Sequence, residues 1–222
     1  MTGVQTCALP IYLTANTVVC TIDGHARALL SAERPALNFL QLLSGTATAT
    51  REVVRAVQGA SPNPKGCAVL DTRKTLPGLR QAQKYAVRVA GGVNQRLALW
   101  DGILIKENHI AAAGSISAVL EAAIKISAPH HLSVQIEVEN LSELKEALNA
   151  GAKLILLDNF DTSSLKQAVE ISAKRAILEA SGGIDLSNVR EIAMTGVDRI
   201  SIGGLTKNIQ AIDLSMRFRN KA

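Results

Sequence analysis

Residues able to grip an anionic substrate recur along this chain, and each group follows a short apolar run. Arg73 and Lys74 follow Cys67 to Leu70; Lys106, Asn108 and His109 follow the run around Leu104; Glu137 and Glu139 follow Ile136; Asp158 and Asn159 follow Leu156. Ser181-Gly182-Gly183 then follows Leu178, and Gly203-Gly204, with Lys207 close by, follows Ile200. The cations Arg73, Arg96 and Lys106 suit a planar dicarboxylate, because guanidinium forks hold carboxylates bidentately. Glu137 and Asp158 supply hard oxygen ligands that could together hold Mg²⁺ with its waters and a substrate's phosphates. The glycine turns offer backbone N–H groups beside helix starts, an arrangement suited to a phosphate. Two carboxylates are also a glycosidase pattern, which the crowding of cations and glycine turns disfavours. His109 reads either as a general base or as a residue that orients its loop, while His25, His130 and His131 read as structural.

These groups need a scaffold that presents them at one rim. From Cys67 onward, short apolar runs centred near Leu70, Leu104, Ile136, Leu156, Leu178 and Ile200 alternate with helical periodicity over 79–90, 117–127, 141–149, 163–174 and 186–194. Such alternation predicts βα units with right-handed crossovers, and ligands then bind past the carboxyl ends of the strands. Asn140 with Glu143 reads as a capping box, and Gly91 and Gly151 as helix ends. The fold class expected is α/β: an incomplete, open barrel of about six strands preceded by the remnant of an N-terminal α/β domain. The stretch Asp71 to Arg80 joins the first apolar run to a helix through a cationic turn punctuated by Pro77-Gly78.

Composition narrows the class. The chain has 222 residues, 47% of them hydrophobic, and a net charge of +5. That is ample for a soluble core, and the cations are dispersed among acids in a way that gives nucleic-acid binding little support. No apolar run approaches a membrane span. Cys7, Cys20 and Cys67 are odd in number and lack metal-ligand spacing, which points to a reducing compartment without a structural disulfide or zinc site.

Several long phrases carry a more specific signal. They are Glu33 to Asn38, Leu43 to Thr50, Asp71 to Arg80, Gly91 to Arg96, Ile105 to His109, Ile136 to Asn140, Leu157 to Phe160, Glu179 to Gly183 and Ile202 to Lys207. In that order they resemble the quinolinate phosphoribosyltransferase family, from Glu33 to the C-terminus. The resemblance implies an incomplete-barrel catalytic domain and a cytoplasmic homodimer. It also implies transfer of phosphoribose from phosphoribosyl pyrophosphate to quinolinate with decarboxylation, giving nicotinate mononucleotide, pyrophosphate and CO₂ in NAD biosynthesis. It further implies that Arg73, Arg96 and Lys106 bind the quinolinate carboxylates, with Arg34 reaching in from the neighbouring subunit, and that Gln95, Asn108 and His109 stand at the same substrate site. Lys74 would contact the phosphorylated substrate, and Glu137 and Asp158 would hold its Mg²⁺, with no organic cofactor. Ser181, Gly182, Gly183, Gly203, Gly204 and Lys207 would hold the 5′-phosphate. Lys74, Lys106, Glu137 and Asp158 are thus the implied catalytic set. Gln95 departs from the family, where histidine is common, as does Asn208 from relatives that place a histidine there.

The domain reading divides the chain into a non-native leader at 1–11, an N-terminal-domain remnant with connecting helices at 12–58, the barrel at 67–207 and a last helix at 208–222. Within the remnant, Asp23-Gly24 between Val18–Ile22 and Ala28–Leu30 predicts a hairpin, and Gly45 a weak point or break in the helical stretch from Glu33 to about Val57. The loop at 60–66 reads as surface variation. Two other functions stand beside the phosphoribosyl transfer. One is a Schiff-base aldolase-type barrel using a lysine such as Lys106. The other is a truncated, non-catalytic barrel that binds phosphate or a partner subunit.

Overall fold

The computed structural model describes residues 12–218. The leader expected at 1–11 and the end of the expected last helix lie outside the described residues. A long helix, α1 (Ala26–Val57), leads into β1 (Ala68–Leu70), α2 (Arg80–Val89), β2 (Gly102–Ile105), α3 (Glu107–Ala113), α4 (Ile116–Ser127) and β3 (Ser133–Val138). The alternation continues with α5 (Leu141–Asn149), β4 (Leu154–Asp158), α6 (Thr162–Ser172), β5 (Ile177–Ser181), α7 (Val189–Ala193), β6 (Arg199–Ser201) and α8 (Gly204–Lys207). Helix starts are set locally. Ser115 Oγ accepts from Ala118 N at 3.1 Å, Asn140 Oδ1 from Glu143 N at 2.9 Å, and Asp161 Oδ1 from Ser164 N at 2.7 Å. The expected capping box forms only in its first half: the Glu143 carboxylate accepts from Glu139 N, one residue before the cap, and from Asn140 Nδ2, both at 2.8 Å.

All strand pairs are parallel, in the order β1-β6-β5-β4-β3-β2, so the six-stranded sheet is open between β1 and β2. Register sorts the side chains onto two faces. Ile136, Val138, Ile155, Leu157, Leu178, Ala180 and Ile200 join the main apolar core with residues of the helices. Gln135, Glu137, Leu156, Glu179 and Arg199 occupy the opposite face, where Glu137 pairs with Leu156, Leu156 with Glu179, and Glu179 with Arg199. The face turned from the helices is therefore largely polar, and each strand exposes functional groups where it ends. No single helix among the described residues is long and apolar enough to cross a membrane.

Three expectations need correction. Residues 12–25 form no strand, and Ala28 to Leu30 belong to α1. An isolated two-stranded hairpin is marginal in water, whereas these residues extend a helix. Gly45 does not break α1: it is buried, and it lies where the C-terminal segment crosses the helix, with the Gln210 carbonyl filling the space of a side chain. That segment, the described part of the expected last helix, is not helical over 209–218. Ile212, Leu214 and Met216 are half-buried while Asp213, Ser215 and Arg217 are exposed, a period of two that an extended chain satisfies. Its backbone pairs with α1 instead, Ile212 N donating to Gln41 O at 3.1 Å and Gln41 Nε2 donating to Leu214 O at 2.9 Å.

Candidate functional site

At the carboxyl ends of β2 and β3, Lys106 Nζ donates to both carboxylate oxygens of Glu137, at 2.8 and 2.7 Å. The pair is half-enclosed, with side-chain exposures of 44% for Lys106 and 10% for Glu137. Asp158 ends β4 on the same polar face, two residues beyond the Leu156 that pairs with Glu137. Its Oδ2 accepts from Asn159 Nδ2 at 2.8 Å. No group of three or more His, Cys, Asp or Glu side chains among the described residues could hold a metal by itself. Two carboxylates on neighbouring strands nevertheless fit Mg²⁺, which keeps several waters and takes further oxygens from substrate phosphates.

The cationic loop after β1 is pinned from behind. Arg80 donates through Nε to Thr75 Oγ1, through Nη1 to Leu97 O and through Nη2 to Arg73 O, each at 3.2 Å. Arg73 and Lys74 are exposed, and neither forms an ion pair among the described residues. Lys74 runs over the last glycine turn: a Cβ at Gly203 would lie 3.1 Å from Lys74 Cδ. At the other turn, Gly182 has φ +100° and Asn159 Oδ1 occupies the space a side chain would need. Glycine is thus required at Gly182 for steric reasons, in addition to any ligand role, whereas at Gly203 a small shift of the Lys74 side chain would make room. Ser181 O accepts from Asn159 N at 2.9 Å, and Lys207 is exposed beside the second turn.

Beneath the loop lies a buried network that sequence reasoning missed. Asp71 accepts from Lys84 Nζ at 2.5 Å, Asn94 Nδ2 at 2.6 Å and Gln95 N at 2.9 Å. Burial pushes the Asp71 carboxyl above its usual range, against the opposing pull of Lys84 and the other donors. Gln95 Nε2 donates to Glu179 at 2.5 and 2.7 Å and lies 3.2 Å from Gln135 Oε1, and Gln135 Nε2 also donates to Glu179, at 3.0 Å. Gln95 Oε1 accepts from Arg96 N at 3.2 Å. The side chain of Gln95 is therefore committed to protein partners. Signals were present: Glu179 interrupts the apolar run from Ile177 to Ala180, and Lys84 falls on the buried side of an amphipathic helix.

Not every expected residue joins the Lys106–Glu137 cluster. Arg96 Nη1 donates to Gly102 O at 2.8 Å, at the opposite end of β2 from Lys106. Burial, then the nearby charge of Arg73, lowers its pKa. A cavity of about 640 Å³ opens there, lined by residues including Lys84, Arg88, Gln95, Arg96 and Arg199, and reaching the starts of β2, β3, β4 and β6. This cavity is thus displaced from the strand-end rim, where the Lys106–Glu137 pair and Asp158 stand. His109 Nδ1 accepts from Lys106 N at 3.1 Å, which makes the histidine an orienter of its own turn. Asn108 donates to Glu107 at 3.0 Å and is exposed. Arg34 is exposed on α1.

Comparison with known proteins gives a consistent picture. Residues 46–217 match the description "Quinolinate phosphoribosyl transferase, C-terminal domain" and residues 12–44 the corresponding N-terminal domain. The chain is 44% identical over 201 residues to the probable nicotinate-nucleotide pyrophosphorylase (carboxylating) of Bacillus subtilis, covering 90% of this chain and 67% of that one. It is 44% identical over 207 residues to the nicotinate-nucleotide pyrophosphorylase (carboxylating) of Mycobacterium leprae, covering 92% and 70%. The crystal structure of NadC from Streptococcus pyogenes superposes with a TM-score of 0.81 at 42% identity, covering 88% of this chain and 66% of the other. The chain spans about two thirds of the length of each.

Proposed function

We infer the roles of these residues from one premise: the chain belongs to the quinolinate phosphoribosyltransferase family, the decarboxylating phosphoribosyltransferases of NAD biosynthesis. The reaction joins quinolinate to phosphoribosyl pyrophosphate and leaves nicotinate mononucleotide, pyrophosphate and CO₂. The observation that carries the site assignment is the Lys106–Glu137 pair beside Asp158, at the rim where Arg73 and Lys74 have no acidic partner among the described residues.

In this reading Arg73 and Lys106 orient the carboxylates of quinolinate, Lys106 exchanging part of its contact with Glu137 for the ligand. Arg96 contributes from the side of the cavity. Lys74 and the turns at 181–183 and 203–204, with Lys207, hold the phosphates of the second substrate. Glu137 and Asp158 would hold Mg²⁺, which when bound neutralises the departing diphosphate charge. The ring nitrogen attacks the anomeric carbon as its bond to pyrophosphate breaks. The positive charge of the pyridinium formed then stabilises the carbanion left at the adjacent ring carbon when CO₂ departs, and that carbon's electron pair takes a proton from water to complete the product. Positioning supplies most of the acceleration, and no protein nucleophile is used. A Schiff-base role would require Lys106 as a neutral amine, whereas here it is the cation of an ion pair.

A homodimer with Arg34 contributed across the interface is part of the proposal. Its support is the apolar exposure of α1, where Leu30 and Phe39 are 57% and 54% exposed on the same helix as Arg34. Cytoplasmic location is supported by the free thiols of Cys20 and Cys67. Calorimetric titration with quinolinate tests the site, using the unaltered chain and Arg73→Ala, followed by a nicotinate mononucleotide assay with magnesium phosphoribosyl pyrophosphate. Binding that the substitution abolishes, together with product, is the expected result. A folded chain that binds no quinolinate would sink the assignment.

A further inference from the structure

We propose that Gln83 is a positioning residue that ties the cationic loop to the last glycine turn, so that the two segments hold their ligand groups in one fixed relation. The proposal rests on the reading above for what those segments contact. Gln83 lies in α2 with no exposed surface. An apolar side chain of the same shape would fill that space without the desolvation cost of an amide. The amide is instead used at both ends. Its Oε1 accepts from Leu76 N at 2.8 Å, in the cationic loop, and its Nε2 donates to Thr206 O at 2.9 Å, after the glycine turn. The partners fix the amide's orientation, since Leu76 N can only donate and Thr206 O can only accept.

Thr206 returns the link. It too is fully buried, and its Oγ1 donates to Lys74 O at 2.8 Å. One hydrogen bond thus joins directly the segments that carry Lys74 on one side and Gly203 and Gly204 on the other, and two more bridge them through Gln83. They prolong the sheet contact of β1 with β6, where Leu70 pairs with Ser201 and Ile202 N donates to Leu70 O at 2.9 Å. With the tie intact, a ligand meets both segments already aligned and pays no ordering cost on binding.

The test uses Gln83→Met and Thr206→Val, which keep volume and lose the polar contacts, and Thr206→Ser, which keeps the hydroxyl. Hydrogen exchange on the unliganded chain reads the tie directly, independent of any substrate. Gln83→Met and Thr206→Val should each speed exchange in both segments, 72–77 and 203–208, and Thr206→Ser should not. The KM for phosphoribosyl pyrophosphate should rise about tenfold in each damaged variant, with kcat changed by less than about threefold, the size expected for losing one or two buried hydrogen bonds. The double variant should cost at least the product of the two, because each single substitution leaves the other bridge in place. Faster exchange confined to the segment nearer the substitution, or an unchanged KM with both segments loosened, would overturn the proposal. An unaltered chain that binds neither substrate would overturn the functional reading instead, leaving the exchange result to decide the tie.

Discussion

Lys106, just past β2, and Glu137 on β3 neutralise each other at the strand-end rim, with the ammonium 2.8 and 2.7 Å from the two carboxylate oxygens. The two charges have opposite uses, one toward a carboxylate substrate and the other toward a metal, so their loss should separate. Lys106→Met should weaken quinolinate binding by at least about tenfold, since a charge-assisted bond is lost and Glu137 is left unpaired. Glu137→Gln should spare quinolinate and weaken the magnesium-bound second substrate. Calorimetry with each ligand distinguishes these outcomes, and an equal loss of both ligands in both variants would contradict the division of roles.

Asp71 and Lys84 form the most buried ion pair of the described residues, with side-chain exposures of 0% and 4%. Removing either partner leaves an uncompensated charge in the interior. Lys84→Met or Asp71→Asn should therefore cost about 3–5 kcal/mol in denaturant unfolding. The double variant should cost less than the sum. Additive losses would show that the residues act separately.

Cys67 should be chemically quiet. Burial, reinforced by the charge of Asp198, pushes its thiol up to about 12. At pH 8 peptide mapping after iodoacetamide should find Cys20, which is exposed, alkylated well ahead of Cys67, which is half-buried and keeps its proton, until the chain is unfolded. The stability sign follows from the raised value. The folded thiol holds its proton more tightly than the unfolded one, so the contribution is complete below about pH 9 and is lost as pH rises through about 12. Equal alkylation of both thiols in the folded chain would refute the burial argument.

The strands and most helices could be read from sequence because each carries a local signal. Asn140 with Glu143 marks a helix start, and apolar runs around Ile136 and Leu156 mark strands that the helices cover. The rim followed from the same reading, since residues just past each strand share one end of a parallel sheet. Contacts across the open interior could not be read that way. Nothing near Gln95 announces Glu179, 84 positions away, and nothing near Lys84 announces Asp71 as its partner. Arg96 was expected with Lys106 because both are cations, yet a backbone carbonyl at the start of β2 holds it elsewhere. Short-range periodicity also misled where two patterns overlap. Ile209, Ile212 and Met216 fit a helix, while Ile212, Leu214 and Met216 fit an extended chain, and contacts with α1 decide for the second.

Gly45 sits at that crossing and gives the sharpest conflict between local propensity and tertiary contact. By propensity alone, Gly45→Ala within α1 should stabilise the helix by about 1 kcal/mol. The new methyl would instead collide with the Gln210 carbonyl and lie 3.2 Å from Ile209 Cγ2. The carbonyl is backbone, so the C-terminal segment itself must lift. The bonds Gln41 makes with Ile212 and Leu214, at 3.1 and 2.9 Å, would then lengthen or break. We expect a net loss of about 1–3 kcal/mol, the range for forced overpacking, with faster amide exchange at Ile212. A variant that melts higher, with exchange at Ile212 unchanged, would show that the segment does not bear on the helix and that Gly45 serves no packing purpose.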